Sequence, residues 1–321
     1  MIRTGSVTGL VLALALAGCE GVPRPPLRDD ARLTIVSLNP CTDAILHEVT
    51  APGQLLAISH YSKDPHASSM QPEDAARYPA TGGSVEEVLA LDPNVVVAST
   101  YLAPATRAAL DDLGLRVVQF GGVASVEESV AQVRELAALA GQQDKGEALV
   151  ARIEAALEGL QTGKGPETVL WQPGGIVAGE AALVSDVLRR AGFESYSEAR
   201  GLGQADYLPL EQVLADPPGL LLVAGSGIGQ RHPALDKVEG LRRESFDTRL
   251  IYCGGPTLIR AAERLAEIRN VAFQPALLDY ARSERGEFPA SSSNPPFVSS
   301  KVETPRSAHA VKPHPETGDP Q

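Results

Sequence analysis

From Leu33 onward, short runs of aliphatic and β-branched residues alternate with stretches in which apolar residues recur every three or four positions. Uninterrupted apolar runs suit strands covered on both faces, and the intervening amphipathic helices are what covers them. The pattern predicts strands at 33–38, 55–59, 95–99 and 116–120, with helices at 43–49, 84–91 and 104–113. These make a first lobe over 32–124. A helical stretch over 125–163 follows, interrupted near Gly141. Val126, Val130, Val133 and Leu136 form its apolar stripe before the break, and Leu149, Ile153, Leu157 and Leu160 after it. A second lobe over 164–272 carries strands at 168–171, 220–224 and 249–253, with helices at 181–191, 210–215 and 258–269. The fold class is α/β, two lobes of parallel sheet.

One stretch occurs in both lobes. Ser84-Val85-Glu86-Glu87-Val88-Leu89-Ala90 lies without gaps on Pro209-Leu210-Glu211-Gln212-Val213-Leu214-Ala215, Pro93 falls on Pro218, and Val95-Val96-Val97 on Leu220-Leu221-Leu222. Both units read helix, proline-containing turn, buried strand, so the lobes are expected to be structurally equivalent.

The two ends differ from the middle. Arg3 precedes a short apolar run at 10–17, and Leu16-Ala17-Gly18-Cys19 resembles the lipobox at which a signal peptide is removed and the new terminal cysteine acylated. Residues 1–19 are read as that signal, Cys19 as the lipid attachment site and 20–31 as a polar tether. The apolar run is too short to span a bilayer as a permanent helix. Residues 273–321 are rich in Ser and Pro and are read as a disordered tail.

Charge narrows the partners. The net charge of -12 over 321 residues argues against nucleic acid and against a bare anionic membrane surface, both of which need basic patches. Membrane association is therefore expected through the lipid alone. With Cys19 acylated, Cys41 and Cys253 remain. Inert thiols, a disulfide and soft ligation of a bound metal complex all stay open for them.

Catalytic motifs are sparse. Gly225-Ser226-Gly227-Ile228-Gly229 follows a strand but lacks the spacing of a pyrophosphate-binding turn, and His232-Pro233 interrupts any helix after it. No phosphate loop, nucleophile elbow or histidine pair at metal-ligand spacing occurs. Strand ends are more informative, because α/β folds bind ligands outside the carboxyl ends of their strands. Asn39, Cys41, Tyr61, Tyr101, Trp171 and Thr257 fall on such ends and are the candidate ligand contacts. Rings on opposing lobes would sandwich a large flat ligand.

These residues carry a family likeness. Ile35-Val36-Ser37-Leu38-Asn39-Pro40-Cys41-Thr42-Asp43, the stretch 83–97 and Leu210-Glu211-Gln212-Val213-Leu214-Ala215 resemble the matching segments of cluster-III periplasmic binding proteins, which serve cobalamin, siderophore and heme importers. The resemblance covers residues 32–269. It implies two Rossmann-like lobes joined by a long rigid backbone helix, with the ligand between them and little closure on binding. It further implies a monomer without catalytic activity or a permanently bound cofactor. The transported ligand would be cobalamin or an iron chelate, and the partner an ABC importer permease with its ATPase. Glu86 and Glu211 would dock on permease arginines, one from each lobe. The location would be periplasmic, with a lipid anchor. Two other readings stand beside it: an α/β enzyme with Cys41 as nucleophile near His60, and a surface lipoprotein that kept this fold without transport.

Overall fold

In the computed structural model, which describes residues 33–66, 68–160 and 163–284, both expected lobes are parallel sheets. The first contains β1 (Ile35–Ser37), α1 (Pro40–Val49), β2 (Leu55–Ser59), α2 (Pro72–Ala75), β3 (Ala80–Thr81), α3 (Val85–Ala90), β4 (Val95–Ser99), α4 (Pro104–Asp112) and β5 (Arg116–Phe120). Its strand order is β3-β2-β1-β4-β5. α5 (Val126–Leu139) and α6 (Gln143–Glu158) lead to the second lobe. That lobe contains β6 (Glu167–Trp171), α7 (Leu183–Arg190), β7 (Glu194–Ser195), α8 (Tyr196–Ala199), α9 (Leu210–Ala215), β8 (Leu220–Val223), β9 (Arg242–Ser245) and the start of α10 (Thr257–Glu284). Its order is β7-β6-β8-β9, the first lobe's order without the outermost strand.

Aliphatic runs explain the central strands. Val36, Val96 and Ala98 pack with Val88, Leu110 and Leu115 in the first core, while Val169, Trp171 and Leu221 pack with Tyr196, Leu208 and Val213 in the second. The repeated stretch is equivalent in space. α3 and α9 each run six residues, and each precedes the strand beside its sheet's first strand.

The connection between the lobes is a helical hairpin in place of the single long helix that the family resemblance implied. α5 ends on Gly141, whose φ of 65° lets the amides of Gly141 and Gln142 bond back to Ala138 and Ala137. The chain then reverses, and Arg134 on α5 pairs with Glu147 on α6. Gly146 makes the close approach feasible, since a side chain there would lie 2.5 Å from the Ala137 methyl.

Two other expectations are corrected. Residues 249–253 are not a strand: 248–250 form a 3-10 turn, and the edge strand is β9, whose Arg-Arg-Glu-Ser sequence has no apolar signal. The last helix does not stop at 269 but continues to Glu284, because helix-forming residues persist beyond 273 and the Ser/Pro run starts only at Ser291. Cys19, the signal segment, the tether and residues 285–321 lie outside the described residues. Among the described residues no helix is long and apolar enough to cross a membrane.

The segment entering α10 returns to the first lobe. Cys253 forms a disulfide with Cys41 at the start of α1, the Gly255 amide donates to Ser129 Oγ at 2.7 Å, and Ser69 Oγ donates to the Arg249 carbonyl at 2.6 Å. The disulfide closes a loop of 212 residues that contains most of both sheets.

Candidate functional site

Within each sheet the strands are parallel, so the polypeptide leaves all of them at one end, and the exits of β5 and β6 border one cavity. After β1, Asn39 caps α1 by accepting from the Cys41 amide at 3.0 Å, and Pro40 occupies the first helical turn. After β2, residues 60–63 form a 3-10 turn with the rings of His60 and Tyr61 4.0 Å apart. After β4, Ser99 Oγ accepts from the Tyr101 amide, and Tyr101 stands 91% exposed. After β8, buried Gln230 donates to the carbonyls of Trp171 and Ala224 and accepts from the Gly227 amide, which fixes the glycine-rich loop. Ile228 projects from that loop into solvent. A 3-10 turn follows rather than an α-helix, so this run has no helix N-terminus to offer a pyrophosphate.

A cavity of about 420 Å³ opens between the ends of β5 and β6, bordered by Gly122 and Val123 on one side, Gln172 and Ala182 on the other, and Ile251 and Tyr252 beside the disulfide. Small residues dominate its wall. Of the exposed large apolar side chains, Tyr252 borders this cavity. Among the described residues, all of these but Leu89 and Leu113 sit on or beside segments leaving strand ends: Tyr61, Tyr101, Ile176, Ile228, Tyr252, and Tyr207, which is bridged to Ile176.

The candidate contacts fare differently. Tyr61 and Tyr101 are open to solvent at the first lobe's strand ends. Asn39 is nearly buried and occupied in capping. Trp171 is corrected from a cleft wall to a core residue. It is 2% exposed, and its indole N–H donates to the Leu208 carbonyl at 2.9 Å. The strand's alternation is the reason: Trp171 shares a face with Val169, which packs in the same core, whereas Leu170 borders the cavity. Thr257 is fully buried at the start of α10 and offers no surface to a cleft ligand. Cys41 is held in the disulfide, so neither soft ligation by a thiolate nor a nucleophilic thiol is open to it. Tyr207, Tyr252 and Ile228 escaped the sequence reading. Tyr252 was hidden by the misread strand at 249–253, though its place beside Cys253 was a signal.

Glu86 and Glu211 are both exposed, each the second residue of its helix, α3 and α9. Neither makes an ion pair among the described residues. The adjacent Glu87 is different: it accepts from Thr81 Oγ1 and the Gly82 amide, and these bonds hold its carboxyl below the usual range. One buried carboxyl stands out. Asp43 accepts from the Ser59 amide at 2.9 Å and Ser62 Oγ at 2.6 Å, yet burial pushes its pKa up to about 7. No three His, Cys, Asp or Glu side chains among the described residues are arranged to hold a metal ion.

Residues 35–243, well over half of the chain, match the sequence pattern of the family described as periplasmic binding proteins. The fold is also that of several solved structures. The periplasmic heme-binding protein RhuT from Roseiflexus sp. RS-1 superposes with a TM-score of 0.59 at 22% identity, covering 77% of this chain and 99% of that one. The periplasmic vitamin B12 binding protein BtuF of Vibrio cholerae gives 0.59 at 17% identity, covering 76% and 98%. The periplasmic heme binding protein HutB of Vibrio cholerae gives 0.62 at 14% identity, covering 74% and 99%. No curated protein matches the chain by sequence. With its two equivalent parallel lobes and the matched segments within them, the chain belongs to the periplasmic binding protein family.

Proposed function

We propose that this protein is the solute-binding component of an ABC importer, which captures a heme- or cobalamin-type metal chelate between its lobes and delivers it to the permease. The observation that carries this reading is the cavity of about 420 Å³ between the ends of β5 and β6, walled largely by small residues and bordered by exposed Tyr252. In the first lobe β2 and β4 each lead into an exposed tyrosine, Tyr61 and Tyr101. A planar macrocycle buries large apolar faces and needs only a few polar contacts at its edge, and exposed phenol rings meet both demands. Relatives of the same fold bind heme and vitamin B12. Glu86 and Glu211 are the docking pair: two carboxylates on equivalent helices give a permease two separated points to read, which orients the complex without a large apolar interface. Cys19 carries the lipid that holds the protein at a periplasmic membrane surface.

Titration of the purified protein with hemin, cyanocobalamin and a ferric hydroxamate, followed by calorimetry and by the ligand's visible absorption, tests the ligand. Saturable one-to-one binding of hemin or cyanocobalamin is expected, and Tyr101→Ala weakens it about ten-fold or more, the scale on which loss of one stacked ring acts. Absence of binding to all three ligands overturns the reading. Docking is tested separately, by uptake in cells carrying Glu86→Lys with Glu211→Lys.

A further inference from the structure

Asp43 is an unusual component of a lobe core. It is fully buried on α1, and among the described residues no cation pairs with its carboxyl. Oδ2 accepts two hydrogen bonds, while Oδ1 has no partner among the described residues. A half-satisfied buried carboxyl costs stability compared with an apolar side chain of similar volume. What the two bonds accomplish is local. Their donors, the Ser59 amide and the Ser62 hydroxyl, flank His60 and Tyr61. Ser59 Oγ in turn accepts from the Tyr61 amide at 3.3 Å. Beyond them Lys63 donates to the carbonyls of Ala75 and Tyr78 and closes the far side of the turn. A two-residue aromatic step is thus pinned at both ends by one carboxyl, with the two rings tilted 36° to each other just past the end of β2.

We propose that Asp43 is a positioning residue for ligand capture, acting through Ser59 and Ser62 to present His60 and Tyr61 as one preformed aromatic platform. This rests on the reading that the cleft takes a flat chelate. Preforming the platform lowers the conformational entropy lost on binding, so its release shows as weaker affinity.

The test uses the full chain with ¹³C-labelled His and Tyr rings, and four variants: Ser62→Ala, Asp43→Ala, Asp43→Asn, and Val88→Ala as a control in the apolar core of the same lobe. Inter-ring NOEs between His60 and Tyr61 are expected in the unaltered protein without ligand, retained in Asp43→Asn, whose amide oxygen still accepts, and lost in Ser62→Ala and Asp43→Ala. Val88→Ala lowers the melting temperature and leaves the NOEs in place. Affinity for hemin or cyanocobalamin falls about three- to ten-fold in Ser62→Ala, the scale of one hydrogen bond to a carboxylate. Unchanged NOEs in Ser62→Ala, or equal loss in Val88→Ala, overturn the proposal. A protein that binds neither probe sinks the ligand reading, and the NOEs of the unliganded chain still decide the role of Asp43.

Discussion

The two lobes answer the same structural problem with different side chains. Their sheets share an order, and their registers correspond: Leu38, just past β1, takes the place that Trp171 takes at the end of β6. In the first lobe that place is held by a half-buried leucine over an aliphatic core; in the second it is filled by an indole that reaches Leu208. The lobes also bury an aspartate each. Asp43 has hydrogen bonds and, among the described residues, no cation, whereas Asp186 accepts from the Val126 amide and pairs with both Arg189 and Arg190. Equivalent helices differ in their caps as well. α3 starts on Ser84, whose hydroxyl accepts from the Glu87 amide, and α9 starts on Pro209 without a side-chain cap. Backbone topology is shared, then, while each lobe assembles its stability from its own contacts.

The largest effect is expected where the lobes differ in volume. Trp171→Ala removes a buried ring and its hydrogen bond and should cost about 3–5 kcal/mol in urea unfolding. Leu38→Ala should cost roughly half that, because the side chain is only half-buried. Equal losses would break the contrast. Next comes the covalent tie. Removing the disulfide with Cys41→Ala and Cys253→Ala, or reducing it, should lower stability by about 2–4 kcal/mol, read as a lower urea midpoint with dithiothreitol present.

The buried carboxyl of the first lobe predicts a stability that depends on pH. Asp43 has a folded pKa of about 7, above its unfolded value, so the folded protein holds a proton that the unfolded chain has lost. Its contribution is complete below the unfolded pKa and declines as pH rises toward 7, with a limiting slope of about 1.4 kcal/mol per pH unit. Asp43→Asn should flatten this decline, measured as unfolding free energy from pH 4 to 8. An unaltered profile would remove Asp43 as its source. Smallest are the caps: Ser84→Ala should cost about 1 kcal/mol, and Pro209→Ser should stabilise α9 by a few tenths. Thermal melts of the two variants read the difference directly.

Parallel strands were legible because a strand covered on both faces must be apolar throughout, and Val95–Ser99 and Leu220–Val223 are nearly so. β9 was not legible: it lies at a sheet edge, where a paired backbone suffices and the side chains are Arg, Arg, Glu and Ser. Two-residue β3 and β7 are too short for any period to register. Candidate residues divided along the same line. Tyr61 and Tyr101 follow strands that end in serine and were found at the open edge, whereas Trp171 was assigned to the cleft from its place at a strand end.

The sequence by itself determined the class of fold and the repeated helix-turn-strand unit with Glu86 and Glu211, because those follow from periodicity and local pattern, and its resemblance over matched segments pointed to the family. Which way Trp171 points, which sulfur Cys41 joins, and which tyrosines stay at the surface were decided only by the tertiary structure. A strand places neighbouring side chains on opposite faces, so a shift of one residue exchanges core for cleft. Cys41 and Cys253 lie 212 positions apart, and only the return of the last segment across both lobes brings them within bonding distance.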